Sequence, residues 1–346
     1  MTNTQLYSVI QSPEYEFLRT NEHLKDNIMF LTLGGSHAYG TNTETSDVDV
    51  RGCAMNSKSD ILGMSNFEQY VDAETDTTIY GFRKLVGLLL NCNPNTIEML
   101  GCKPEHYLYV TQAGNMLLQN RKLFLSRRAV QSFGGYATAQ LRRLENAIAR
   151  DKLPQAKKEE HILGNMQNAL AAFRDKYESF DLGKIYLYTD VSERDDLDRE
   201  IFADIQLEKF PARSFCGMLN ELANILKDYD KLNGRNRKKD DNHLNKHAMH
   251  LIRLYLMCLD ILEKEEIVTY READHDLLMS VRNGDFQQED GTYRDEFFQM
   301  VKDFETRLAY AKENTGLPNS PDMKKVEELV MRINYYAATG DNRWLK

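Results

Sequence analysis

The chain has 346 residues, 42% apolar and 28% charged, with 53 acidic against 44 basic side chains and a net charge of −9 at pH 7. This is the composition of a folded globular protein with one large or two ordinary domains, and it excludes disordered and fibrous chains. The acidic balance also speaks against a protein that coats nucleic acid over its whole surface.

In chain order, a polar helical segment is predicted over about 14–25. Ile28 to Leu33 reads as a short buried strand that ends in Gly34-Gly35. Val48-Asp49-Val50-Arg51 reads as a second strand with alternating faces, and Thr77 to Tyr80 as a weaker third. A helix follows with Phe82, Leu85, Val86 and Leu89 on one face. Asn93-Pro94-Asn95 stops it and starts another, with Asn95 expected as the N-cap and Glu98 at the third helical position. Beyond residue 110 the pattern becomes helix upon helix, at roughly 111–122, 126–150, 155–178, 212–231, 241–264, 293–313 and 321–337. Breaks fall at Pro154, Asp181-Leu182-Gly183, Pro211, Asn233-Gly234 and Gly316-Leu317-Pro318, and Lys184 to Tyr188 is the one strand-like insertion. The expected architecture is α+β: a small mixed β-sheet domain over 1–110, then a larger, mainly helical domain over 111–346.

The first residues lack the basic and apolar regions of a secretory signal. The longest apolar stretch, Leu251 to Leu262, is broken by Arg253 and Asp260. No membrane span is therefore expected, and the location expected is cytoplasmic. Cys53, Cys92, Cys102, Cys216 and Cys258 show no zinc spacing and are expected as free thiols. Charge is uneven along the chain. Residues 1–110 carry a net −7, residues 121–158 a net +8 and residues 190–208 a net −6. The basic segment is either a solvated helix face or an electropositive wall.

Two local signals carry chemistry. A buried strand ending in Gly34-Gly35-Ser36 at a helix start lets the backbone approach a phosphate, with N–H groups and the Ser36 hydroxyl as donors. Asp47 and Asp49, two apart on a strand, share one face. Paired carboxylates repel when ionised unless a cation lies between them, and their oxygens suit Mg²⁺ or Mn²⁺ completed by substrate phosphates. An exposed Asp pair in a turn is the plainer alternative.

Together, Gly-Ser at a helix start and Asp-x-Asp on the next strand resemble the signature of the DNA-polymerase-β-like nucleotidyltransferase superfamily. The run GSHAYGTNTETSDVDVRG is similar to its RlaP-type branch, found in bacteria and large phages. Asp76-Thr77-Thr78-Ile79-Tyr80 with Arg83-Lys84, Asn93 to Glu98, and Lys246-His247-x-x-His250-Leu251-Ile252-Arg253 also match that branch, so the resemblance runs from about 30 to about 285. It implies a third metal-binding carboxylate on a neighbouring strand, at Asp76, with Asp72 and Glu74 as alternatives. It also implies two Mg²⁺ or Mn²⁺ ions and an NTP substrate, with Asp47, Asp49 and Asp76 catalytic and Gly35 and Ser36 gripping the triphosphate. Relatives often carry a further Asp where this chain has Gly81.

On the helix from about 241 to 264, Lys246, His250 and Arg253 fall on one stripe that His243 and His247 extend. The expectation is a cationic wall for nucleotide or acceptor phosphate. A histidine metal site or a plain solvated face are the alternatives. Asn236 to Lys239 reads as a surface loop or a contact to a nucleic-acid backbone. The expected activity is metal-dependent transfer of NMP from an NTP to a hydroxyl. The acceptor is an RNA or tRNA-like end in RNA repair, or alternatively a protein hydroxyl, as in AMPylation. Other readings are a small-molecule transferase or a non-catalytic interaction protein on the same fold.

Overall fold

The computed structural model describes residues 9–152, 155–176, 185–193, 198–235, 241–289 and 291–345. Pro154, Asp181-Leu182-Gly183, Lys184 and Asn236 to Lys239 lie outside the described residues. Ile28–Leu33 is β1 and is buried at every position, as a continuous apolar run requires of a strand with neighbours on both sides. With β2 (Val50–Ala54), β3 (Gln69–Asp72), β4 (Thr77–Gly81) and β5 (Tyr107–Val110) it forms a mixed sheet in the order β3-β4-β2-β1-β5. β1 runs antiparallel to β2 and β5, β2 parallel to β4, and β3 antiparallel to β4. The fold is thus α+β, with the mixed sheet in the N-terminal region and a mainly helical remainder.

Leu24, Leu31, Leu33, Val50, Ile79 and Leu108 share one core cluster. The Phe82–Leu89 helix buries Phe82, Leu85, Val86 and Leu89, the face its spacing predicts. Each such side chain contributes about 1.5–3 kcal/mol by leaving water, and together they hold β1 and β2 in place beneath the site. The two strands of this sheet not expected from the sequence, β3 and β5, are its edges. β3 alternates exposed and half-buried residues and so has no apolar run.

Several local expectations are corrected. The N-terminal helix over 14–25 is reduced to a 3-10 turn at Pro13–Tyr15 and one helical turn at Phe17–Thr20, ended by extended backbone at Asn21. The cap of Pro94–Ile97 is Asn93, whose side chain accepts from the Asn95 N–H, because Pro94 occupies the first helical position. The long helices fall near their predicted spans: Gln112–Gln119, Arg128–Lys152, Gln155–Lys176, Ala212–Arg235, Asp241–Leu259, Asp295–Asn314 and Met323–Thr339. His275–Asn283 is an additional helix. Among the described residues no helix is long and apolar enough to cross a membrane.

The chain divides into two compact units. One combines Met1–Ala139 with Met249–Arg282 and Glu296–Lys346, so it holds the whole five-stranded sheet. The other combines Gln140–Ala248 with Asn283–Asp295. In the second unit β6 (Ile185–Val191) pairs antiparallel with β7 (Arg199–Ile205), so the strand-like insertion is a two-stranded sheet. β7 lies inside the acidic segment, where charge hid it; Ile201 still packs on a cluster of Ile162, Met166, Leu170, Leu187, Met218 and Leu222.

Candidate active site

The site begins where β1 ends. Gly34 is extended backbone at the N-cap of a short helix, Gly35–Tyr39. Its N–H donates to the Asp49 carbonyl at 2.8 Å. Gly35 has φ +53, and a Cβ there would lie 1.6 Å from Asp49 Oδ2. A Cβ on Gly34 would meet Arg51 Cγ at 2.8 Å. The two glycines therefore have separate reasons to be there. Gly35 clears room for a carboxylate, in a conformation that side chains resist, and Gly34 clears room for an arginine stem.

Hydrogen-bonded pairing of β1 with β2 starts at Leu33↔Val50. Asp47 and Asp49 thus lie in the extended segment that leads into β2 rather than on the strand itself, since the chain across from them has already turned into the helix. The parallel register Val50↔Thr77 then sets Asp49 beside Asp76, because each immediately precedes the first paired residue of its strand. Asp47, Asp49 and Asp76 each present a carboxylate oxygen within 4.8 Å of the others. Asp76 has φ +43, a left-handed conformation that Asp tolerates better than most residues.

Asp72 and Glu74, the alternatives for the third carboxylate, are not in this cluster. Asp72 Oδ1 accepts from the N–H groups of Glu74 and Thr75 and from the Thr75 hydroxyl. It therefore serves the β3–β4 turn, and those bonds hold its carboxyl below the usual range.

Asp49 is buried, at 8% exposure, while Asp47 and Asp76 are exposed. Burial, a hydrogen bond shared with Asp76, and repulsion from Asp76 and Asp47 push the Asp49 carboxyl up to about 7. The Arg51 guanidinium works in the opposite direction. Its Nη2 stands 3.5 Å from Asp49 Oδ1 and 3.2 Å from Asp76 Oδ1. Three carboxylates open to solvent on one side, one of them reluctant to ionise, fit a hard divalent cation with water or phosphate as its remaining ligands. Among the described residues this is the cluster of His, Cys, Asp or Glu with metal-binding geometry.

Behind the carboxylates the short helix is clamped. Tyr39 Oη donates to Glu98 Oε1 at 2.9 Å, and Arg253 Nη1 donates to Glu98 Oε2 at 3.0 Å. The Arg253 guanidinium also lies 3.6 Å over the Tyr39 ring. The Arg271 N–H donates to the Tyr39 carbonyl, and Arg282 Nη1 donates to the Thr41 carbonyl. Gly40 has φ +76 and lies against the Tyr270 ring. Residues 249–282 are thereby bound into the same unit as the sheet.

The helical stripe comes apart in this arrangement. Arg253 is buried and paired with Glu98, not presented as a cationic wall, because the Asp241–Leu259 helix is buried on all sides from Leu251 onward. His250 is half-buried with its ring edge-on to Tyr39 at 6.4 Å. Lys246 and His247 belong to the second unit. Lys246 is exposed, and His247 Nδ1 is 3.1 Å from Gln140 Oε1. The side chain of His243 lies outside the described residues. Arg51 and Glu98 were missed as site residues. The first had a signal, since a residue two after Asp49 shares its face.

Residues 10–166 match RlaP, the RNA repair pathway DNA polymerase beta family. The match takes in the five-stranded sheet, the Gly34-Gly35-Ser36 junction and all three carboxylates, and it stops before Lys246. No curated protein and no solved structure matches the chain.

Proposed function

From the match of residues 10–166 to the RlaP family, we propose that the chain is a metal-dependent nucleotidyltransferase of RNA repair, transferring NMP from an NTP to the hydroxyl of an RNA or tRNA-like end. The observation that carries this reading is the meeting of Asp47, Asp49 and Asp76 within 4.8 Å at a strand–helix junction built from glycine. Asp47, Asp49 and Asp76 would hold two Mg²⁺ or Mn²⁺ ions, which supply positive charge for the triphosphate and acidify the attacking hydroxyl. The acceptor oxygen bonds to the α-phosphorus, the α–β bridging P–O bond breaks, and pyrophosphate departs. Asp76, exposed at the mouth of the cluster, takes up the hydroxyl proton. Gly35 and Ser36, beside Asp49, face the triphosphate. Tyr39, through Glu98 and Arg253, fixes the helix that carries them. His250, in the same unit as the carboxylates, is the remaining candidate for nucleotide phosphate. The five free cysteines suit a reducing cytoplasm.

The test supplies each of four α-labelled NTPs with Mg²⁺ or Mn²⁺ and a cell extract, and separates labelled RNA, protein and small molecules. Label in RNA, lost in Asp47→Ala/Asp49→Ala while the fold is kept, is the expected result. Label confined to protein would replace the RNA acceptor by a protein hydroxyl. Undiminished labelling by the double variant would refute the carboxylate assignment.

A further inference from the structure

Arg51 has no place in the chemistry above, yet its position is built. Nη2 reaches Asp49 at 3.5 Å and Asp76 at 3.2 Å. Nη1 donates to the carbonyls of Val50 and Asp76. The side chain is 22% exposed, so the fork sits at the rim of the cluster rather than in bulk water. Its stem occupies the space where a Cβ on Gly34 would be. One guanidinium thus bridges two carboxylates carried in by different strands, β2 and β4, and it approaches the oxygens that a cation would need.

We infer that Arg51 is the resident counter-ion of the carboxylate cluster: it neutralises Asp49 and Asp76 while no divalent cation is bound and is displaced from them when one binds. This rests on the metal-site reading above. A guanidinium and a divalent cation compete for the same oxygens and repel each other at that range. Three carboxylates against one arginine leave the cluster net negative, which tightens the grip on Arg51 in the ion-free protein and still attracts a cation. The protein gains an ordered site before its ions arrive, at the expense of weaker ion binding. The released guanidinium, two residues from Asp49, is then free to meet phosphate.

Full-length wild type, Arg51→Met and Asp47→Ala/Asp49→Ala are compared with Mn²⁺ as the probe, without nucleotide. Binding is read from the paramagnetic resonance of free Mn²⁺ and stability from thermal unfolding. Arg51→Met keeps the stem over Gly34 and removes the charge. It is expected to bind Mn²⁺ about tenfold more tightly than wild type and to unfold at a lower temperature in EDTA, with that deficit gone in saturating Mn²⁺. A merely structural arginine would leave the deficit equal in both conditions, and that result, or unchanged Mn²⁺ affinity, overturns the inference. The wild-type protein gives a second readout that does not depend on the variant folding. The reactivity of Arg51 toward phenylglyoxal, followed by peptide mass spectrometry, should rise several-fold on adding Mn²⁺. Unchanged or lower reactivity also overturns the inference. If wild type binds Mn²⁺ no better than Asp47→Ala/Asp49→Ala, the metal-site reading fails and takes this inference with it. Tight binding by wild type with no Arg51 effect refutes the inference alone.

Discussion

Replacing Asp49 by Asn tests the electrostatics of the cluster without changing its shape. Asp49 ordinarily titrates near 3.8 and is pushed up to about 7 here, chiefly by burial and then by its bond to Asp76. Between those pH values the folded protein holds a proton that the unfolded chain has released. The stability associated with that proton is fully present below about pH 4 and is lost as pH rises through 7. Each pH unit of displacement corresponds to about 1.36 kcal/mol, so the ionised carboxylate costs the ion-free protein about 4 kcal/mol at the upper end. Water reaching the cluster past exposed Asp47 and Asp76 brings this to about 2–4 kcal/mol, with the attraction of Arg51 already contained in the shift. Asp49→Asn should therefore be more stable than wild type by about 2–4 kcal/mol at pH 8 in EDTA. At pH 4 the two should agree. Urea denaturation at both pH values measures this, and near-saturating Mn²⁺ should reverse the order at pH 8. Cation at 1,000 times its dissociation constant adds about 4.1 kcal/mol to wild type and nothing to a variant that cannot bind it. If Asp49→Asn were the less stable protein in EDTA at pH 8, or if the difference from wild type did not vary with pH, Asp49 would not be the strained carboxylate described here.

Gly35→Ala places a methyl group 1.6 Å from Asp49 Oδ2 at φ +53. It should lower stability by about 1–3 kcal/mol and Mn²⁺ affinity by about tenfold or more, measured by denaturation and by titration of the ion; unchanged affinity would mean that the glycine is not there for Asp49. Arg253→Met leaves Glu98 buried without its cation and should lower stability by about 3–5 kcal/mol, whereas adding Glu98→Gln should restore much of the loss. Equal stability of the single and double variants in urea would show that the pair is not coupled. With a thiol reagent under native conditions, Cys216, which is exposed, should react at once, while Cys53, Cys92 and Cys258 wait for unfolding. Burial pushes the Cys102 thiol up to about 12, so it should react late as well. Fast modification of more than one thiol, located by peptide mapping, would contradict the packing described around these residues.

The parts of the site that were legible in the sequence are those fixed by neighbours within a few residues. A buried strand ending in glycine and two Asp residues separated by one place need no long-range knowledge. The choice of Asp76 over Asp72 is also local in origin. Asp72 precedes Glu74 and Thr75, whose N–H groups it accepts in the turn, leaving the residue just before β4 to meet Asp49. Edge strand β3 gave no apolar run and β7 was masked by its acids, so the hydrophobic pattern could not reveal them, whereas β5, Tyr107-Leu108-Tyr109-Val110, carries a run of four apolar residues that the pattern does show. Arg51 was open to the same alternation that paired the two Asp residues, but an arginine beside acidic residues reads as an ordinary surface charge until the glycine beneath it is seen.

Arg253 shows the limit most clearly. On a helix wheel it joins Lys246 and His250, and cations on one stripe read as a solvent-facing wall. What decides its environment is Glu98, 155 residues away in sequence, together with the Tyr39 ring. A buried arginine with a full partner satisfies the same pattern as an exposed one. The consequence is functional as well as structural. Because Glu98 also accepts from Tyr39 Oη, a residue expected to touch phosphate instead holds the helix on which Gly35 and Ser36 are carried. Its replacement should then disturb the geometry of the carboxylate site through Tyr39 and raise the dissociation constant for Mn²⁺ even when no nucleotide is present. A direct phosphate ligand would leave that ion-only measurement unchanged.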